Sequence, residues 1–112
     1  MPAPSFDFAD FITRIADLDY RDMIAQAERE RDATEAMLYD DRRSARGIKA
    51  ARAGRYLAEI GRFLFFMRRG MMPAGVTQGN VALYRQVCKA LVAKGQLEPN
   101  RLDLLAKRNR VR

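Results

Sequence analysis

The stretch RRSARGIKAARAGR, residues 42 to 55, places a basic side chain at every third position: Arg43, Arg46, Lys49, Arg52 and Arg55, with Arg42 beside the first. Guanidinium and ammonium groups at this density suit a phosphate backbone, because each one that neutralises a phosphate also releases condensed counterions. On an α-helix a step of three residues advances 300°, so the series drifts by roughly 240° around the cylinder instead of forming one stripe. The apolar face set further along by Leu57, Ile60 and Leu64 extends backwards through Lys49 and Arg46. Charged heads cannot lie unpaired in a packed core. Residues 42 to 52 therefore read as a dense positive knuckle at a corner between helices. The same knuckle can equally pair with the chain's own acids, Asp32, Glu35, Asp40 and Asp41.

Other chemistry fares poorly. There is no histidine, which removes imidazole-based nucleophile activation and imidazole metal ligation. The single cysteine, Cys88, sits on an apolar helical stripe and reads as a small core residue. The carboxylates Asp17, Asp19 and Asp22 are explained by helix capping, and Asp40 and Asp41 adjoin Arg42 and Arg43 as a solvated helix end. Paired-carboxylate catalysis needs a cleft and a raised pKa, which nothing in the pattern promises. The glycine-containing GMMPAG lacks the following lysine and hydroxyl residue of a phosphate-cradling loop. The expectation is a protein that is not an enzyme and takes no metal, no cofactor and no small-molecule substrate.

A second candidate lies at AGVTQGNVALY, residues 74 to 84. This run resembles the turn and the start of the recognition helix in helix-turn-helix DNA-binding proteins, with Gly75, Val76, Thr77, Gln78, Gly79, Asn80 and Val81 in the corresponding places. The resemblance implies that Thr77, Gln78, Gly79 and Asn80 face the major groove or its phosphates, with Val76 and Val81 packed inside. Gln and Asn side chains can pair with adenine edges. Met71 and Pro73 depart from the pattern, the first replacing a small residue and the second falling where a helix should still run.

Charge is divided sharply along the chain. Residues 1 to 41 hold eleven acids and four bases, net −7, whereas residues 42 to 112 hold three acids and seventeen bases, net +14. Such asymmetry points to an anionic partner, or to one half pairing with the other. No apolar run approaches the length of a membrane span: the densest, FLFFM at 63 to 67, is bounded by Arg62 and Arg68. The acidic start MPAPSFDFADF has no apolar stretch of a secretory signal, and a lone cysteine cannot form an internal disulfide. Together these predict a cytoplasmic protein.

Helices must position these groups, since no stretch alternates with period two. Residues 6 to 17 carry Phe8, Phe11, Ile12 and Ile15 on one stripe, capped by Ser5 or Asp7. A second helix opens at Asp19, whose carboxylate can accept from first-turn amides, and its middle, ERERD, is polar all round. A third, about 48 to 69, carries Ala53, Leu57, Ile60, Leu64 and Met67 on one face, leaving Phe65 and Phe66 off it. Gly47, Gly54 and Gly61 recur every seven residues, which predicts close antiparallel packing against the alanine-rich second helix. A fourth runs from about Asn80 to Lys94, ended by Gly95, and a short fifth starts at Asn100.

One alternative joins residues 20 to 67 into a single rod of about 70 Å. Ordinary helix lengths favour a break near Ser44–Gly47. The expectation is an all-α, four- to five-helix bundle with a long central helical hairpin, a single domain over residues 1–112. For function, the sequence favours a basic helical protein that binds nucleic acid, in a regulatory context, through Arg42, Arg43, Arg46, Lys49, Arg52, Arg55, Thr77, Gln78 and Asn80. The alternative is an adaptor or homodimer that docks an acidic protein, with the FLFFM end as its seam. Membrane-surface binding ranks below both, because basic and apolar residues do not sort into a clean amphipathic stripe.

Overall fold

The chain is all-helical in a computed structural model that describes residues 6–40 and 48–110. Among the described residues five helices follow one another: α1 (Phe8–Ile15), α2 (Tyr20–Asp40), α3 (Ile48–Arg69), α4 (Gln78–Ala93) and α5 (Asn100–Arg110). Among the described residues no helix is long and apolar enough to cross a membrane, and no group of acids and cysteine could hold a metal ion.

α2 and α3 form the central hairpin. They run antiparallel, as Tyr20 meets Met67 at one end and Leu38 faces Leu57 at the other. Residues 41–47, with the expected break at Ser44–Gly47, lie outside the described residues. α1 and α4 pack across the hairpin, and α5 closes against α4 with Leu105 buried.

The local signals at the helix ends are simple. Asp7 caps α1, its carboxylate accepting the Ala9 N–H at 3.0 Å. Thr77 caps α4 by accepting the Asn80 N–H at 3.1 Å. Gly95 ends α4 in the left-handed region (φ 73), where the Gly95 and Gln96 amides donate back to the Val92 and Leu91 carbonyls. Gly70 does the same for α3 (φ 67), its amide donating to the Phe66 carbonyl.

Two ends are closed by distant residues instead. The Tyr20 amide at the start of α2 donates to Gln96 Oε1 at 2.8 Å, while Asp19 Oδ1 accepts from Gln96 Nε2 and lies near Lys94. The expected role of the Asp19 carboxylate as cap to its own first turn is therefore taken by Gln96. At the end of α3, Arg101 Nη1 donates to the Phe66 and Met67 carbonyls at 3.2 and 2.8 Å. A guanidinium there satisfies orphan carbonyls and complements the negative end of the helix dipole.

The core is wider than one stripe. Ala53, Ile60 and Leu64 are buried as expected, and so is the adjoining edge Tyr56, Phe63 and Phe66. Phe63 meets Phe8, Phe11 and Tyr84 edge-on at 5.7 to 5.9 Å, and the Phe66 ring lies 5.1 Å from Tyr84. α3 thus buries one edge against α2 and another against α1 and α4. This corrects the single stripe, since Phe66 is a core residue off it; the FLFFM end is largely buried, in line with a core role and against a seam, with only Phe65 exposed among its aromatics.

The polar middle of α2 is also tied in. Glu30 accepts from Arg14 of α1, from the Tyr56 hydroxyl of α3 and from Gln26. Burial alone would raise the Glu30 carboxyl, but the hydrogen bonds from Arg14, Tyr56 and Gln26 outweigh it and hold it below its ordinary value.

Gly54 and Gly61 correct another expectation. A Cβ built on either would meet nothing within 4 Å, so neither is required for approach to α2. They lie on the outer side of α3, beside the exposed Ala51 and Ala58.

Candidate functional site

Arg52 and Arg55 stand on the exposed flank of α3, three residues and thus 300° apart. They line a groove of about 400 Å³ together with Glu59, Asn80 and the start of α1 at Phe6, Asp7, Phe8 and Ala9. The N-terminal end of α4 reaches this groove through Asn80. Arg52 and Arg55 of the basic run and Asn80 of the Thr77–Asn80 segment, more than twenty positions apart, thereby meet in space.

The acids of the groove are already engaged. Asn80 Nδ2 donates to Glu59 Oε2 at 2.9 Å, which fixes the first turn of α4 against α3. Asp7 is occupied as the α1 cap. Phe6, whose backbone is left-handed (φ 50), sets its ring 5.9 Å from Tyr56 and walls one side. Neither Arg52 nor Arg55 forms an ion pair with an acid among the described residues. Asp32, expected as an internal partner of the knuckle, pairs with its neighbour Arg31 at 3.2 Å.

The remaining candidates divide as follows. Thr77 and Gln78 are exposed, with Thr77 spent on capping and Gln78 in the first turn of α4. Arg42, Arg43 and Arg46 lie outside the described residues, as do Asp41 and the side chain of Asp40. Lys49 falls in the first turn of α3, and its side chain too is outside the described residues. The α3–α4 connection, residues 70 to 77, is eight residues long and contains Pro73. It is longer than the three- or four-residue turn of a helix-turn-helix unit. Arg62 supports this connection: a Cβ on Gly75, itself left-handed at φ 87, would stand 3.2 Å from its guanidinium.

Sequence reasoning missed Glu59, Asp7 and Phe6 as walls of the groove. Glu59 carried one available signal, as one of only three acids after residue 41. Cys88, expected in the core, is buried there, and burial pushes its thiol up to about 11.

The chain matches no protein-family model, no curated protein and no solved structure. The geometry of the groove must therefore carry the functional argument by itself.

Proposed function

We propose that the protein is a nucleic-acid-binding protein, acting in regulation within the cytoplasm, and that Arg52 and Arg55 hold the phosphate backbone. One observation carries this reading. Two exposed arginines, free of ion pairs among the described residues, line one groove with Asn80 from the first turn of α4. Arg42, Arg43, Arg46 and Lys49 precede them in the chain and belong to the same basic run of the sequence. A guanidinium not spent on an internal carboxylate retains its full capacity for bidentate phosphate contact. Asn80 donates to Glu59 and so acts by fixing α4 beside the arginines.

The test is binding of a labelled generic duplex to the full chain and to an Arg52→Ala/Arg55→Ala variant. The variant should bind more weakly by the same factor on unrelated sequences, as phosphate contacts carry no sequence information. Undiminished binding would overturn the assignment.

A second reading, a protein–protein contact, is favoured by a different place. Leu38, Leu57, Glu35 and the exposed Tyr39 border an open cleft of about 300 Å³ between the hairpin helices. A mass above that of one chain in light scattering would support a homodimer, and an acidic protein partner would compete with duplex for the basic knuckle.

A further inference from the structure

We infer that the outer face of α4 reads base edges in the major groove of duplex DNA. This inference rests on the nucleic-acid reading above and adds residues to it. α4, Gln78–Ala93, contains no aspartate or glutamate. Its inner side is consumed by the core through Val81, Tyr84, Val87, Cys88 and Leu91. Its solvent side presents Gln78, Ala82, Arg85, Gln86 and Lys89, of which Arg85 is partly buried and the rest are exposed. These positions span an arc of about 100° along one side of the helix.

The make-up of that arc decides what fits it. Polar and cationic side chains project from it, and between them stands only alanine, so another surface can come close to the backbone. No large apolar side chain offers the anchor that a protein partner would bury. On the α1 flank, Thr13 and Ala16 adjoin Gln86, and neither is charged. By contrast the outer side of α2 mixes Arg29, Arg31, Asp32 and Glu35. A helix of sixteen residues is about 24 Å long, and the major groove of B-form DNA, about 12 Å wide, admits an α-helix. Gln78 and Gln86 can pair with adenine edges, and Arg85 and Lys89 with guanine or with flanking phosphates. Arg52 and Arg55 share a groove with Asn80 of the first turn of the same helix and supply the phosphate contacts of the reading above. A-form RNA offers no such seat, because its major groove is deep and narrow.

The experiment selects duplexes from a random pool with the full chain, then measures affinity for the selected and a scrambled sequence. The same pair is measured with Gln78→Ala/Gln86→Ala and with Arg52→Ala/Arg55→Ala. Both glutamines are exposed and alanine is a better helix former, so the first variant retains the fold. The wild type should prefer the selected duplex by about tenfold or more, and Gln78→Ala/Gln86→Ala should lose most of that ratio while keeping its salt dependence. Arg52→Ala/Arg55→Ala should weaken both duplexes and keep the ratio. An unchanged ratio in the glutamine variant, no enriched sequence, or equal affinity for duplex RNA would overturn the assignment of α4. With the arginine variant still weakened, the phosphate reading would survive that loss. Absence of wild-type binding to any duplex at low salt would overturn both.

Discussion

Replacing Gly54 and Gly61 of α3 with alanine should make the protein more stable. Both lie in the interior of a 22-residue helix, where glycine costs roughly 1 kcal/mol relative to alanine through the extra freedom of the unfolded chain. A substitution recovers that only if the new methyl group fits. At both positions the Cβ has no heavy atom within 4 Å, so no packing penalty offsets the gain. Each change is therefore worth about 0.4–1 kcal/mol. The two sites are seven residues, about 10 Å, apart with no shared partner, so the effects should add to about 1–2 kcal/mol. For a chain of this length that raises Tm by roughly 4–8 °C. Gly70→Ala is the matching control, because its φ is 67 and its Cβ would stand 2.7 Å from Arg101 Nε. It should destabilise. The assay is thermal and urea unfolding of wild type, Gly54→Ala/Gly61→Ala and Gly70→Ala, at two protein concentrations. A lower Tm for the double variant would refute the reasoning, and a concentration-dependent loss would mean that another surface packs on this side of α3.

Two further outcomes follow from the buried groups. Glu30 has a folded pKa below its ordinary 4.5, so it contributes stability above that pH which is lost as pH falls through the folded value. Glu30→Gln should cost about 1.5–3 kcal/mol at pH 7 and much less at pH 3. Urea unfolding at both pH values checks this, and an equal cost at both would show that the charge of Glu30 is not what stabilises. Cys88 is buried and its thiol is raised to about 11, so it should resist a disulfide reagent at pH 8 in the native state and react at once in denaturant. Rapid native labelling would contradict its place in the core.

What could be read from the sequence was local. Phe8, Phe11, Ile12 and Ile15 repeat within two turns, and all four are buried. Gly95 ends α4 through bonds to residues three to five positions back, and such short-range chemistry leaves a signature in the chain. The polar contacts that join distant elements leave none. Gln96 closing the start of α2, Arg101 closing the end of α3, and Arg14 and Tyr56 converging on Glu30 span separations of 16 to 76 residues. The glycines of α3 misled for another reason. Small residues permit a close approach without requiring one, and Gly54 and Gly61 face open space. Phe66 lies off the single stripe and is buried nonetheless, because α3 packs on two sides and a 3.6-residue stripe understates its buried surface.

The candidate site was legible in part. Arg52, Arg55 and Asn80 were recognisable by type and spacing, and they share one groove. Their proximity was not legible, since it depends on how α4 crosses α3 and on the Asn80–Glu59 hydrogen bond that pins it. The outer face of α4 could have been noticed from its lack of acids, but only packing shows which of its polar residues face solvent.

The most direct test of the nucleic-acid assignment is the salt dependence of duplex binding by wild type and Arg52→Ala/Arg55→Ala. If both arginines neutralise phosphates, the wild type binds with a steep slope of log affinity against log salt, and the variant's slope is smaller by about 2. Equal slopes, or no wild-type binding at low salt, would contradict the account.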